Sequence, residues 1–167
     1  MRRWTYLFLS VLVFAADQLT KGLIQEGMHP GQVHRVASWF SIVYWENTGG
    51  LWGFFQHVAR PVSLALFYLL PAVGVGFLIY LFLKARSRFD LVLICFILGG
   101  AAGNILDRLR LGHVVDFLYF HIPGGPGWPA FNIADAFLSV SILILLYRTM
   151  RPERPAEAAG PEKTPRR

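Results

Sequence analysis

Four aspartates stand where a carboxylate is hard to keep charged. Asp17, Asp107, Asp116 and Asp135 lie within or at the edges of apolar stretches of a 167-residue chain with ten acidic residues in all. The other six have milder settings. Glu153, Glu157 and Glu162 fall in a polar C-terminal stretch, Glu26 and Glu46 in a connecting segment, and Asp90 where a helix is expected to start and a carboxylate complements the helix dipole. A charge at a bilayer centre raises the free energy by about 2.5–3.5 kcal/mol on insertion scales, so carboxylates in such runs are functional candidates by default. Two carboxylates together in a partly dry site cannot both ionise, so they share one proton. The ionised member then takes a proton from water while the other gives one to a carbonyl. That is the chemistry of an aspartic protease, and it needs neither a metal nor a nucleophilic side chain.

Each aspartate also has a structural use. Asp17 and Lys21 are four apart on one helical face and can neutralise each other. Asp107 and Arg108 can form a charge pair at a helix end. Asp116, inside Val-Val-Asp-Phe-Leu, and Asp135, three residues after Asn132, have weaker structural explanations, because an unpaired carboxylate there is costly. Competing chemistries lack parts. The single cysteine, Cys95, sits among apolar residues, which excludes an intramolecular disulfide framework and leaves no thiol cluster for a metal. No serine sits in a Gly-x-Ser-x-Gly elbow. The five histidines, His29, His34, His57, His113 and His121, form no His-x-x-x-His pair, so neither a metal nor another cofactor is expected.

The composition says what must position these groups. Hydrophobic residues make up 54% of the chain, charged residues 16%, and the mean hydropathy is +0.45. A soluble domain carries about 25% charged residues, so a soluble enzyme, a disordered chain and a nucleic-acid-binding domain are all poor readings. Pro61 to Leu83 is uncharged and long enough to cross a hydrocarbon core of about 30 Å. Together with Leu91 to Leu106 and two interrupted apolar runs, it predicts four spanning helices at about 4–24, 61–83, 90–108 and 132–149. Gly74 and Gly76 in the second are expected to allow close helix packing.

The net charge of +6 falls in short clusters rather than on a nucleic-acid-binding face. Arg2 and Arg3 precede the first helix, Lys84, Arg86 and Arg88 join the second to the third, and Arg148, Arg151 and Arg154 follow the fourth. Four spans put all three clusters on one side, the cytoplasm by the positive-inside rule, with both termini there. Arg2-Arg3 before an apolar run imitates a secretory signal peptide, even to the small Ala15-Ala16. Cleavage there would leave three spans and scatter the clusters, so the segment is read as the first span. Residues 25–60 and 109–131 fall outside. Val33–Val36 and Phe40–Trp45 can pair as a small sheet, and the Pro/Gly-rich His121–Pro129 stretch forbids regular structure. The chain reads as one membrane domain, 1–150, with an outer sheet region at about 30–58 and a disordered cytoplasmic tail, 151–167.

These residues closely resemble the ordered motif set of bacterial lipoprotein signal peptidase, or signal peptidase II, an aspartyl peptidase family. The matching blocks are Asp17-Gln-Leu-Thr-Lys21, Asn47-Thr-Gly-Gly-Leu-Trp-Gly53, Gly99-Gly-Ala-Ala-Gly-Asn-Ile-Leu-Asp-Arg108, Val115-Asp-Phe117 and Phe131-Asn-Ile-Ala-Asp135. The departure is Gly50-Leu51, where the family more often has small residues such as alanine. The resemblance implies a four-helix inner-membrane endopeptidase that cuts prolipoproteins just before a diacylglyceryl-modified cysteine. It implies Asp116 and Asp135 as the catalytic pair, with Asp17, Lys21, Asn47, Gly100, Asn104, Asp107, Arg108 and Asn132 binding substrate or supporting it. It also implies inhibition by the cyclic peptide globomycin, a β-cradle lying on the membrane surface, and an active site near the outer leaflet. A monomer in contact with membrane lipid is expected. The rival use of intramembrane Asp and Lys is a proton-coupled transporter or channel, against which stands the gathering of the acidic groups toward one face.

Overall fold

The computed structural model describes residues 2–48 and 59–150. Thus Gly50-Leu51 and the expected disordered tail lie outside the described residues. Among those described, four helical runs are long and apolar enough to cross a membrane: Arg3–Gly27, Pro61–Lys84, Arg88–Leu111 and Ile133–Met150. The first is α1 (Leu7–Gly27), entered through a 3-10 turn at Arg3–Tyr6. The third is α4 (Arg88–Leu111), with Ser87 as N-cap and Gly112 ending it at a φ of 79°, a left-handed conformation natural to glycine. The fourth is α5 (Ile133–Met150).

The second run is not the single regular helix that its uncharged sequence predicts. It is built as α2 (Arg60–Leu64), a π-helical segment (Ala65–Leu69) and α3 (Leu70–Lys84). Pro71 explains the break. A proline in a helix has no N–H for the carbonyl four residues back, and its ring collides with that carbonyl; the wider π turn just before it relieves both.

Between the helices lies a three-stranded antiparallel sheet of β1 (Val33–Ala37), β2 (Phe40–Asn47) and β3 (Val114–Phe120), in the order β1-β2-β3. The first two strands are the expected pair. The third is a correction, because Val114–Phe120 carries no apolar/polar alternation and reads in sequence only as an apolar stretch. Its β-branched and aromatic residues suit a strand buried on both faces, and Val114 to Phe117 are all buried. Asp116 thus stands opposite Trp45, on the strand at one edge of the sheet.

α4 is the central helix: half of its most apolar stretch is buried, against 6–17% for the other three runs. Gly99 and Gly100 set its distances to α1 and α5. A Cβ on Gly99 would stand 2.5 Å from the Ser10 carbonyl oxygen, and one on Gly100 2.7 Å from that of Ala134. Gly74 and Gly76, expected to do this work, have nothing near where a Cβ would go. The end of the bundle away from the sheet is a dry core of Phe82, Leu91, Ile94 and Cys95. There Arg3 donates to the Leu83 carbonyl, and Arg148 pairs with Asp90 at 2.9 Å, so Arg3, the α3–α4 junction and Arg148 lie at one end.

Candidate active site

The opposite end of the bundle is polar inside. Asp17, Lys21, Asn104, Asp107, Asp116 and Asn132 are all buried there, carried by α1, α4, β3 and the approach to α5. Lys21 is the hub. Its ammonium donates to Asp17 Oδ2 at 2.7 Å, Asp107 Oδ2 at 2.8 Å and Asn104 Oδ1 at 2.9 Å, which uses all three of its protons. Asp107 therefore pairs with Lys21 and not with Arg108, as expected for neighbours one position apart on a helix, whose side chains do not face each other. Asp17 reaches further. Its Oδ1 accepts the Ala134 N–H at 2.9 Å, satisfying one of the orphan donors in the first turn of α5.

The rest of that helix start is built by the residues singled out in the sequence. Asn132 Oδ1 accepts the Asp135 N–H at 2.9 Å, and Asp135 Oδ2 accepts the Asn132 N–H at 3.3 Å. This reciprocal capping box uses Asn and Asp in place of the commoner Ser/Thr and Glu, and it fixes the Asp135 rotamer. Phe131 holds the helix start against β3: its N–H donates to the Leu118 carbonyl, and its own carbonyl accepts from Leu118 N–H at 2.8 Å. The Pro/Gly-rich loop folds back through the bridges Leu118 to Phe131 and His121 to Gly127 and the Trp128 N–H to the Phe120 carbonyl, so Asp116 and Asp135 reach one site from separate segments.

Every oxygen of the two carboxylates receives an N–H. Asp116 Oδ1 accepts from Asn132 Nδ2 and Oδ2 from Asn47 Nδ2, both at 2.8 Å. Asp135 Oδ1 accepts from Asn104 Nδ2 at 2.7 Å. The donors are neutral amides, and among the described residues neither carboxylate has a cation in contact. Burial first, then the charge of Asp135, push the Asp116 carboxyl up from 3.8 to about 7, against hydrogen bonds from Asn47 and Asn132 and the charge of Lys21. Asp135 lines a cavity of about 360 Å³ together with Asn104 and Arg108, and its remaining walls are apolar side chains of α3, α4 and α5 such as Leu78, Ile97 and Leu138. Arg108 makes no ion pair among the described residues. It donates to the Asn104 carbonyl at 3.3 Å and lies over the Phe67 ring at 5.6 Å.

A model of the family described as signal peptidase (SPase) II matches residues 9–151. The chain belongs to this family. The chain is 33% identical over 140 residues to the lipoprotein signal peptidase of Thermodesulfovibrio yellowstonii, covering 84% of this chain and 90% of that one. It is 38% identical over 150 residues to that of Burkholderia ambifaria, with 87% of each covered. A solved bacterial membrane enzyme, determined by the in meso method at 2.3 Å resolution, superposes with a TM-score of 0.75 at 30% identity, over 92% of this chain and 94% of that one. As a member of the signal peptidase II family the chain is an aspartic endopeptidase, consistent with the amide-bound carboxylate pair.

All ten residues picked from the sequence fall in this region, in different capacities. Asp116, Asp135, Asn47, Asn104 and Asn132 form one connected network, and Asp17, Lys21 and Asp107 an ion cluster behind it. Gly100 packs under Ala134, and Arg108 stands at the cavity wall. Sequence reasoning missed Gln18, whose amide donates to both Asp17 and Asp107. The signal available was a polar residue in an apolar run, next to a singled-out aspartate. The proton-relay alternative has no route through the bundle: beyond this cluster, the described core is Phe82, Leu91, Ile94 and Cys95, with no buried charge.

Proposed function

We propose that this protein is the membrane-embedded endopeptidase that removes signal peptides from prolipoproteins, cutting just before a diacylglyceryl-modified cysteine, with Asp116 and Asp135 as its catalytic pair. The observation that carries the assignment of the pair is that buried Asp116 and half-buried Asp135, from separate segments, are joined through one residue, Asn132, and among the described residues are bound only by neutral amides. With the Asp116 carboxyl pushed up to about 7, the pair holds one proton at neutral pH. The ionised carboxyl takes a proton from a water molecule, whose oxygen attacks the carbonyl carbon of the residue preceding the cysteine. The protonated carboxyl gives its proton to the carbonyl oxygen. Collapse of the tetrahedral intermediate breaks the C–N bond, and the cysteine nitrogen leaves as an amine with a proton from the pair. Asn47, Asn104 and Asn132 hold both carboxylates in place without adding charge.

Arg108, with no carboxylate partner among the described residues, stands at the cavity wall, where it can hold a substrate carbonyl. The apolar remainder of that cavity, open along α3, α4 and α5, suits the hydrophobic stretch of a signal peptide or an acyl chain. The meeting of Arg3, the α3–α4 junction and Arg148 at one end supports a cytoplasmic placement of both termini, which puts the sheet and the site at the outer leaflet of the inner membrane. The enzyme acts as a monomer, without a metal or other cofactor, and globomycin blocks the pair. Purified protein in detergent is expected to cut a diacylglyceryl-modified prolipoprotein and to be inhibited by globomycin. Cutting of the unmodified precursor at the same rate would contradict the substrate assignment.

A further inference from the structure

Behind the catalytic pair, two carboxylates are tied together twice. Lys21 bridges Asp17 and Asp107 through their Oδ2 atoms. The second tie is Gln18, whose Nε2 lies 3.2 Å from Asp17 Oδ2, 3.0 Å from Asp107 Oδ1 and 3.3 Å from the Gly103 carbonyl. Gly103 makes room for this contact, because a Cβ there would run into the Asp17 carboxylate. The two carboxylates joined by Gln18 each hold the backbone of a different segment. Asp17 accepts the Ala134 N–H at 2.9 Å, one residue before Asp135. Asp107 Oδ2 accepts the Val115 N–H at 3.3 Å, one residue before Asp116. The residue preceding each member of the pair is thus moored to a carboxylate, and Gln18 moors the two carboxylates to each other.

We propose that Gln18 is a positioning residue that sets the separation of Asp116 and Asp135 by clamping Asp17 to Asp107. Lys21 cannot do this alone. An ammonium on a flexible stem is a point charge, whereas the planar amide presents its two N–H groups in fixed directions. Gln18 is also the only side chain seen donating to Asp107 Oδ1 among the described residues, so its loss leaves that oxygen buried without a donor. Other side chains around the clamp are Lys21 on α1 and Asn104 on α4, with Asn132 standing between it and Asp116.

The inference rests on the peptidase reading and is tested by exchanging donor and acceptor. Gln18→Glu keeps the shape but removes the donated bonds. Adding Asp107→Asn restores one of them with its polarity reversed, since the new amide donates where the old one accepted, and the net charge returns to that of the wild type. Misplacing reacting groups by about 1 Å can lower rates about 100-fold, so Gln18→Glu is expected to lower kcat by about that factor with KM within about twofold of wild type. The double variant is expected to recover at least about tenfold of the loss, a coupling that a residue merely filling space does not show. A kcat within about threefold of wild type in Gln18→Glu, or a double variant whose loss is the product of the single losses, would overturn the clamp. Should Gln18→Glu not fold, Gln18→Leu takes its place with the same expectation for kcat. Absence of cleavage by the wild type itself would count against the peptidase reading instead. The exchange is then read as thermal stability in detergent, where recovery in the double variant supports the Gln18–Asp107 contact and strict additivity overturns it.

Discussion

Two pairs of aspartates, three of them buried and Asp135 half-buried at the cavity, lie within one small region and are treated oppositely. Asp17 and Asp107 share a cation: the Lys21 ammonium touches both, at 2.7 and 2.8 Å, and ties them together as anchors. Among the described residues, Asp116 and Asp135 share no cation in contact and receive only amide hydrogen bonds. Amides orient a carboxylate, but they do not balance a second negative charge, which is the condition the proposed acid–base pair needs to share a proton. The difference between the anchoring pair and the proposed acid–base pair is where one lysine is placed. Asn104 marks the boundary, since its oxygen accepts from Lys21 while its nitrogen donates to Asp135.

The comparison is broken most severely by removing one member of the balanced pair. Asp17→Ala leaves a buried ammonium short of an anion and strips a cap from α5, and breaking a buried pair typically costs about 3–5 kcal/mol. A large loss of thermal stability in detergent is expected, and Asp17→Ala with Lys21→Met should recover part of it because fewer lone charges remain buried. Strictly additive losses would show that the two residues do not interact.

Next in size is the response of the unbalanced pair to pH. The folded-state value of Asp116, about 7, lies above the ordinary 3.8, so its contribution to stability is fully present below about pH 4 and is lost as pH rises through 7. Catalysis needs the shared proton, so kcat/KM should fall above about pH 7 by about tenfold per unit. A profile flat from pH 6 to pH 9 would place the working proton elsewhere.

The smallest effect belongs to the exposed ion pair at the far end of the bundle. Arg148 and Asp90 meet at 2.9 Å with side chains 43% and 29% exposed, where such pairs contribute about 0–1 kcal/mol. Arg148→Ala should lower stability by no more than that, including the loss of its contact with the Phe89 ring, and leave cleavage rates unchanged. A loss as large as that of Asp17→Ala would erase the contrast between buried and exposed pairs.

Much of this was legible in the sequence, for physical reasons. The four helices follow from apolar length, and Asp17 with Lys21 from a spacing that places both on one face. Asn132 and Asp135 were visible as a pair three residues apart, although the reciprocal cap they form depends on helix α5 starting at Ile133. What stayed hidden depends on partners distant in the chain. β3 shows no alternation because its core stretch is buried on both faces, and Asp107 meets Lys21 rather than its sequence neighbour Arg108 because only the fold brings α4 against α1. The π segment ahead of Pro71 was in principle readable, since a proline inside a long apolar run announces a disturbed turn. The working of Gln18 was not, because it lies between two carboxylates 90 positions apart in sequence (17 to 107).

The central claim is that Asp116 and Asp135, and not the anchored pair, cut the peptide bond. It is tested most directly by incubating wild type, Asp116→Asn and Asp135→Asn with a diacylglyceryl-modified prolipoprotein in the same detergent at pH 7 and following the products by mass spectrometry. The wild type should yield a product beginning at the modified cysteine. Both variants should remain folded, by their thermal unfolding, and yield no detectable product, because an amide cannot exchange the proton. Cleavage within about tenfold of the wild-type rate by either folded variant would remove that residue from the chemistry and contradict the account.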